Sequence, residues 1–175
     1  MIVNGKVVNS LGGGVCQVST TLYNAVLDAE LTVLERHAHS MIVSYIPIGR
    51  DATIAENLKD FRFLNNLETP IVIETVITSY DTLTFRLRTI KQVKQENRKV
   101  TYETKILEEI EPGEPVVEYD DTKPQDYICV IQPAYTGYKV EVYRVVTIDQ
   151  VEVERVKISY SEYEASPQRM IIGKK

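Results

Sequence analysis

One cysteine, Cys16, directly follows the run Gly12-Gly13-Gly14-Val15, and the only two histidines, His37 and His39, lie further on in Arg36-His37-Ala38-His39-Ser40. A thiol and an imidazole are the minimum for a thiolate nucleophile activated by a base. The glycines give the backbone conformations closed to other residues and let a ligand come close. A helix starting just after them leaves its first N–H groups unpaired at the positive end of its dipole. A thiol at that place should ionise more easily, and the same N–H groups can receive the oxyanion of a tetrahedral intermediate. Gly13, Gly14, Gln17 and Ser19 are therefore candidates for the oxyanion and substrate contacts around Cys16. The competing reading is a plain core cysteine, because cysteine is among the most buried residue types.

His37 and His39 are two residues apart, so on an extended segment both face one way. One can serve as base while the other touches substrate; the alternative is a metal pair. Zinc needs further ligands. Cys16 with both histidines makes three, Cys129 is far away in sequence, and no metal or other cofactor is called for. Asp51 or Glu35 could orient the base. Arg36 and Arg50 are candidates for gripping a substrate carboxylate, which suits the guanidinium fork. The ordinary alternative for each is a structural salt bridge.

These side chains need elements to hold them. Val15, Val18, Leu22, Val26 and Ala29 recur on one face at three- and four-residue steps, which predicts a helix from about Gln17 to about Ala29. Thr32–Glu35 and Ile42–Ile46 read as short strands, and Pro70–Thr78 with Thr82–Thr89 reads as a hairpin turning at Ser79-Tyr80-Asp81. Asn65-Asn66 before Pro70 reads as a turn. Lys91–Lys99 is polar and unpatterned, a candidate linker. Strand patterns follow at Val100–Ile110, Tyr127–Gln132, Tyr138–Ile148 and Val151–Ser161. The expected fold is α+β: one N-terminal helix with Cys at its start, packed on antiparallel strands with His on a following strand, then an all-β module. The expected division is 1–90, linker 91–99 and 100–175. The second module has no histidine, so chemistry is expected in the first.

With 175 residues the chain is long enough for one compact domain or two small ones. Its net charge of −5, with acidic and basic residues interleaved, carries no nucleic-acid footprint. No apolar run approaches the ~18 residues of a membrane span. Two cysteines make no disulfide framework, although Cys16 and Cys129 could in principle pair. Met1–Ser10 is no signal peptide and reads as a strand that starts abruptly, so a piece of a longer protein is expected. Oligomeric state is not legible.

Gly12–Tyr23 (GGGVCQVSTTLY), Arg36–Ser40 (RHAHS), Val43–Thr53 (VSYIPIGRDAT) and Phe61–Asn66 (FRFLNN) resemble, in order and spacing, the VanW domain family, named from vancomycin-resistance clusters. The resemblance covers Val3 to Thr89. It implies cell-wall biology in Gram-positive bacteria, an extracytoplasmic location in the parent protein, and peptidoglycan stem peptides as partners. It further implies L,D-transpeptidase activity, in which Cys16 attacks the bond before the terminal D-alanine of one stem and the amine of another stem resolves the thioester. By the motif, His39 is preferred to His37 as base. Glu30 and Asn57 stand where the family often has glycine. Tyr138–Arg144 (YKVEVYR), the Val151–Ser161 strand and Met170–Gly173 resemble a G5-type β module, though with few glycines. Two rival functions remain: a cysteine peptidase or amidase on the same stems, and a non-catalytic wall-binding module. The last predicts Cys16 buried far from both histidines.

Overall fold

The computed structural model describes residues 2–3, 6–7, 13–78, 82–90 and 95–175. It is mostly β, with a single helix among the described residues. The expected α+β character of the first half reduces to that helix and three two-stranded antiparallel pairs.

Helix α1 runs Val15–Asp28 and starts at Gly14, whose φ of 95° only glycine adopts easily. It ends in a Schellman arrangement. The Glu30 N–H donates to the Leu27 carbonyl at 2.8 Å and the Leu31 N–H to the Val26 carbonyl at 3.1 Å, with Val26 and Leu31 both buried. Glu30 holds the left-handed position at φ 56°. A side chain there costs about 1 kcal/mol against glycine. Its carboxylate takes both Arg98 guanidinium nitrogens at 2.6 and 2.7 Å, a forked pair that glycine could not make. Asn57, too, is left-handed at φ 58°.

The apolar spacing of α1 holds only beyond its first turn, with Val26 buried and Leu22 and Ala29 half-buried. Val15 and Val18 are exposed, whereas Ser19, Thr20, Tyr23, Val26 and Leu27 are buried. Ser19 and Thr20, in the second turn, dock through hydroxyl-to-carbonyl bonds, and the apolar residues of the first turn are left outside.

The N-terminal strands β1 (Ile2–Val3) and β2 (Lys6–Val7) pair with each other. After the helix, β3 (Thr32–Glu35) pairs antiparallel with β4 (Arg62–Leu64), and β5 (Ile71–Ile77) with β6 (Leu83–Thr89). The Ser79–Asp81 turn lies outside the described residues, as do 91–94 of the expected linker. Ile42–Ile46 is not a strand. Pro47 accepts a turn bond from the Arg50 N–H at 3.1 Å and Gly49 takes φ 85°, so this stretch folds back on itself. Asn65 does turn the chain, its side chain accepting from Leu67 N–H at 3.1 Å and donating to the Thr69 carbonyl at 2.9 Å.

The second half builds two three-stranded sheets. β10 (Gly137–Ile148) lies between β7 (Arg98–Ile110) and β11 (Val151–Tyr163), antiparallel to both. β12 (Arg169–Gly173) lies between β8 (Val116–Asp120), parallel, and β9 (Ile128–Gln132), antiparallel. The β10–β11 hairpin turns through Asp149 and Gln150, both left-handed, where a two-residue turn demands it.

The halves share a core. Tyr23, Leu27 and Ala52 are packed by Val33 and Phe61 from the first half and by Tyr102 and Ile158 from the second. The Tyr102 hydroxyl donates to the Leu27 carbonyl at 2.5 Å, and Thr104 Oγ1 to the Ile48 carbonyl at 2.8 Å. Gly49 sits where this contact is tightest: a Cβ there would lie 2.6 Å from Val142 Cγ2. Gly49→Ala combines that overlap with a disfavoured φ, so it should lower stability by about 2 to 4 kcal/mol. Urea unfolding of the variant beside the parent measures this; a change within 0.5 kcal/mol would contradict the packing described.

Candidate active site

Helix α1 presents Cys16 in its first turn. The first intrahelical bond is Val18 N–H to the Gly14 carbonyl at 2.9 Å, and no side chain caps the start. The N–H groups of Val15, Cys16 and Gln17 precede that bond, so they have no partner within the helix. Gly13, Gly14, Val15 and Gln17 are exposed while Cys16 is half-buried, so the thiol lies at the edge of the protein.

The segment following Gly49 is tied to the helix by three side chains. Ser19 Oγ and Thr20 Oγ1 both donate to the Ala52 carbonyl, Thr20 Oγ1 accepts the Ala52 N–H at 2.9 Å, and Asn24 Nδ2 donates to the Arg50 carbonyl at 2.9 Å. Thr53 Oγ1 thereby comes within 3.3 Å of Cys16 Sγ, and the Ile54 carbonyl within 3.5 Å. The same tether places Asp51, which is 1% exposed. Asp51 Oδ2 accepts from His39 twice, from the backbone N–H at 2.7 Å and from Nδ1 at 2.6 Å. Its Oδ1 accepts from Arg36 Nη2 at 2.8 Å and from the Tyr163 hydroxyl at 2.5 Å. With Nδ1 engaged by Asp51, the His39 imidazole lies close enough to Cys16 that each favours the charged form of the other. The edge of the Tyr45 ring packs on the imidazole at 6.4 Å between centroids.

The charges follow from these contacts. Burial works against a thiolate, but the Thr53 hydroxyl, the Ile54 backbone and the adjacent His39 outweigh it and hold Cys16 below the ordinary thiol value. Burial also disfavours the imidazolium, yet the Asp51 carboxylate, helped by the Cys16 sulfur, raises His39 above its usual range. Asp51 is brought down to about 2, against its own burial, by His39, Arg36 and Tyr163. Each group stabilises the charged form of the next, which is the arrangement a thiolate–imidazolium pair requires.

A family model described as "VanW like protein" matches residues 1–88. This chain belongs to that family. Residues 92–175 match the G5 domain model. A Bacillus subtilis protein, "Uncharacterized protein YoaR", is 43% identical over 99 residues, which is 51% of this chain and 33% of that one. The "Vancomycin B-type resistance protein VanW" of Enterococcus faecalis is 34% identical over 74 residues, 38% of this chain and 26% of that one. The matched stretches thus span a third or less of those relatives. Among solved structures, the G5 domain of an IgA1 protease covers 45% of this chain and 93% of its own, at 23% identity and a TM-score of 0.29. HP0197-G5 covers 43% and 95%, at 22% and 0.22.

The VanW half brings Cys16, His39 and Asp51 together. It does not bring His37 with them: its Nε2 is 3.1 Å from Glu35 Oε1, and Glu35 also takes the Asp60 N–H at 3.3 Å, so neither residue serves His39. The two-residue spacing would have put both rings on one side of a regular strand, but β3 ends at Glu35 and Asp51 draws the His39 ring inward. Arg36 is not free to grip a substrate. It is buried, donating to the Asp51 and Gly49 carbonyls, Asp51 Oδ1 and Ser161 Oγ. Arg50 lays its guanidinium over the Tyr102 ring at 5.0 Å. The Ser19 hydroxyl is buried against the Ala52 and Cys16 carbonyls, not aimed at a ligand. Two further residues at the site, Thr53 and Tyr163, escaped the sequence reading. Thr53 closes the VSYIPIGRDAT motif, so a signal existed; Tyr163 lies 112 positions from its partner and has none. Both cysteines are free, and no group of three metal-binding side chains occurs among the described residues.

Asp51→Asn should withdraw the main support of the imidazolium and so move Cys16 ionisation to higher pH. Iodoacetamide labelling against pH, with peptide mass spectrometry separating Cys16 from Cys129, reads that midpoint; an unchanged midpoint would break the link between the three residues. Because folding lowers Asp51 from 3.8 to about 2, its contribution is present above pH 4 and lost as pH falls through 2. Urea unfolding of Asp51→Asn should therefore show its largest deficit near neutral pH and a shrinking one below pH 4.

Proposed function

We propose that this chain is a cysteine acyltransferase of the bacterial cell wall, an L,D-transpeptidase acting on peptidoglycan stem peptides outside the cytoplasm. The carrying observation is the line Cys16–His39–Asp51, opening at the uncapped start of a helix. The VanW family and the resistance protein among its relatives support the setting, the cell wall and vancomycin resistance. They leave the reaction to be argued from the site.

In this reading the Cys16 thiolate attacks the carbonyl carbon of the third stem residue. Negative charge gathers on the carbonyl oxygen, where the free N–H groups of the first helical turn can receive it. The C–N bond to the terminal D-alanine breaks, and the His39 imidazolium gives its proton to the departing amine. A thioester on Cys16 remains. The side-chain amine of a second stem then attacks it, His39 takes up the proton lost by that amine, and the thiolate leaves. The product is a 3-3 cross-link, with one D-alanine released. Water in place of the amine would give hydrolysis instead.

An open cleft of about 680 Å³ begins at Val15 and Ile54, beside the thiol, and runs over Ala55–Asp60 to Glu35. It is the space in which a stem peptide can lie. Glu35, Glu56 and Asp60 outnumber Lys59 along it, a lining that suits the amino group of a stem better than a carboxylate.

Incubating the protein with a disaccharide-tetrapeptide, beside Cys16→Ala, tests this by mass spectrometry. The expected product is two stems joined with loss of one D-alanine, absent from the variant. A tripeptide alone, also absent from the variant, would make the protein a hydrolase. Identical spectra for both proteins would favour a non-catalytic wall module.

A further inference from the structure

Tyr163 stands at the end of β11, in the half that matches the G5 domain, yet its hydroxyl reaches the buried carboxylate of the VanW half. It is 2% exposed. The contact is not isolated. The same hydroxyl accepts the Gly49 N–H at 2.9 Å, Ser161 Oγ accepts from Arg36 Nη1 at 2.6 Å, and the Glu164 N–H donates to the Ser40 carbonyl at 2.6 Å, next to His39. One strand end thus holds Asp51, Arg36, the Gly49 turn and the chain beside His39.

We propose that the G5 half is a built-in part of the reactive centre, with Tyr163 and Ser161 acting as positioning residues for the Asp51–His39–Cys16 line. This rests on the reading of Cys16 as nucleophile and His39 as its base. Asp51 Oδ1 has two side-chain donors, and Tyr163 is one of them. A carboxylate that loses one donor presents a different charge to its remaining partners, and a buried hydrogen bond to a charged group is among the stronger ones. The groups facing His39 are Asp51, Cys16 on α1 and the Tyr45 ring; those facing Asp51 are His39, Arg36 and Tyr163. Among the side chains facing Asp51, only Tyr163 comes from the second half. A module merely tethered to the first half would have no reason to end a strand on its buried carboxylate.

The test uses the whole chain and its two histidines. Proton NMR of the imidazole carbons, titrated with pH, reads His39 and His37 separately, and His37→Gln assigns them. Tyr163→Phe keeps the buried ring and removes only the hydroxyl. Its His39 midpoint should move by about half a pH unit or more, while that of His37, paired with Glu35, stays put. Cys16 labelling should shift with it. Ser161→Ala, which strips Arg36 of one acceptor, should shift His39 in the same experiment and serves if the first variant does not fold. Tyr160→Phe, on the exposed side of β11, should change nothing. A folded Tyr163→Phe or Ser161→Ala protein whose His39 titration overlays that of the parent overturns the proposal. The readout is independent of turnover. Loss of the coupling with transpeptidation intact would sink only this inference, and coupling without any product would sink only the proposed reaction.

Discussion

Everything around the site follows from the need to satisfy one buried carboxylate. An ionised aspartate at 1% exposure is untenable without donors. Asp51 has four on its side chain: two from His39, one from Arg36 and one from Tyr163. They come from the stretch after β3 and from the end of β11, far apart in the chain. For them to meet, the Ile42–Gly49 stretch must turn back rather than run on as a strand, and the second half must lie against the first. The tether of Ser19 and Thr20 to Ala52 then fixes the next residues so that Thr53 reaches the thiol. The geometry of the site and the fold are here one set of hydrogen bonds.

The local parts of this were legible in the sequence. Three glycines, a cysteine and a helical period place Cys16 at a helix start without any knowledge of the rest, and β3, the β5–β6 hairpin and the long strands of the second half follow from composition and turns. The non-local parts were not. Spacing alone cannot choose between His37 and His39; the choice is made by Asp51, which only the folded turn brings near. Nor does the sequence tell whether an arginine will be exposed. Arg36 and Arg50 look equally fit to hold a substrate, yet Arg36 is buried on Asp51 while Arg50 lies over the Tyr102 ring. The start of the helix departs from its pattern for a related reason. Periodicity assumes that buried faces are apolar, but Ser19 and Thr20 in the second turn dock through hydroxyls, and Val15 and Val18 stay in the open near the thiol.

Glu30 shows the same pressure at the other end of α1. A left-handed residue after a helix is easiest as glycine, yet here a glutamate bears the strain and reaches Arg98 on β7, with Arg144 of β10 3.8 Å away. Both ends of the helix are therefore fastened to the second half, one through Glu30 and Tyr102, the other indirectly through Ala52 and Asp51. A helix fixed at both ends against a three-stranded sheet holds its N-terminal N–H groups still, which is what the oxyanion site of the proposed reaction would require, because such donors work only if they need not reorganise.

Burial is graded along the site. Arg36 and Asp51 are closed off, His39 is nearly so, Cys16 is half-buried, and Val15 and Gly14 open onto solvent and the Glu35–Asp60 cleft. The gradient suits two opposed demands of the proposed reaction. The attraction between Asp51 and the imidazole is strong only where water is excluded, while the sulfur would have to meet a polymer too large to enter a closed cavity. A helix and a few short strand pairs, as in the VanW half, have little mass with which to wall off the inner end. The sheet of the second half supplies that wall, and with it the phenol that completes the coordination of Asp51.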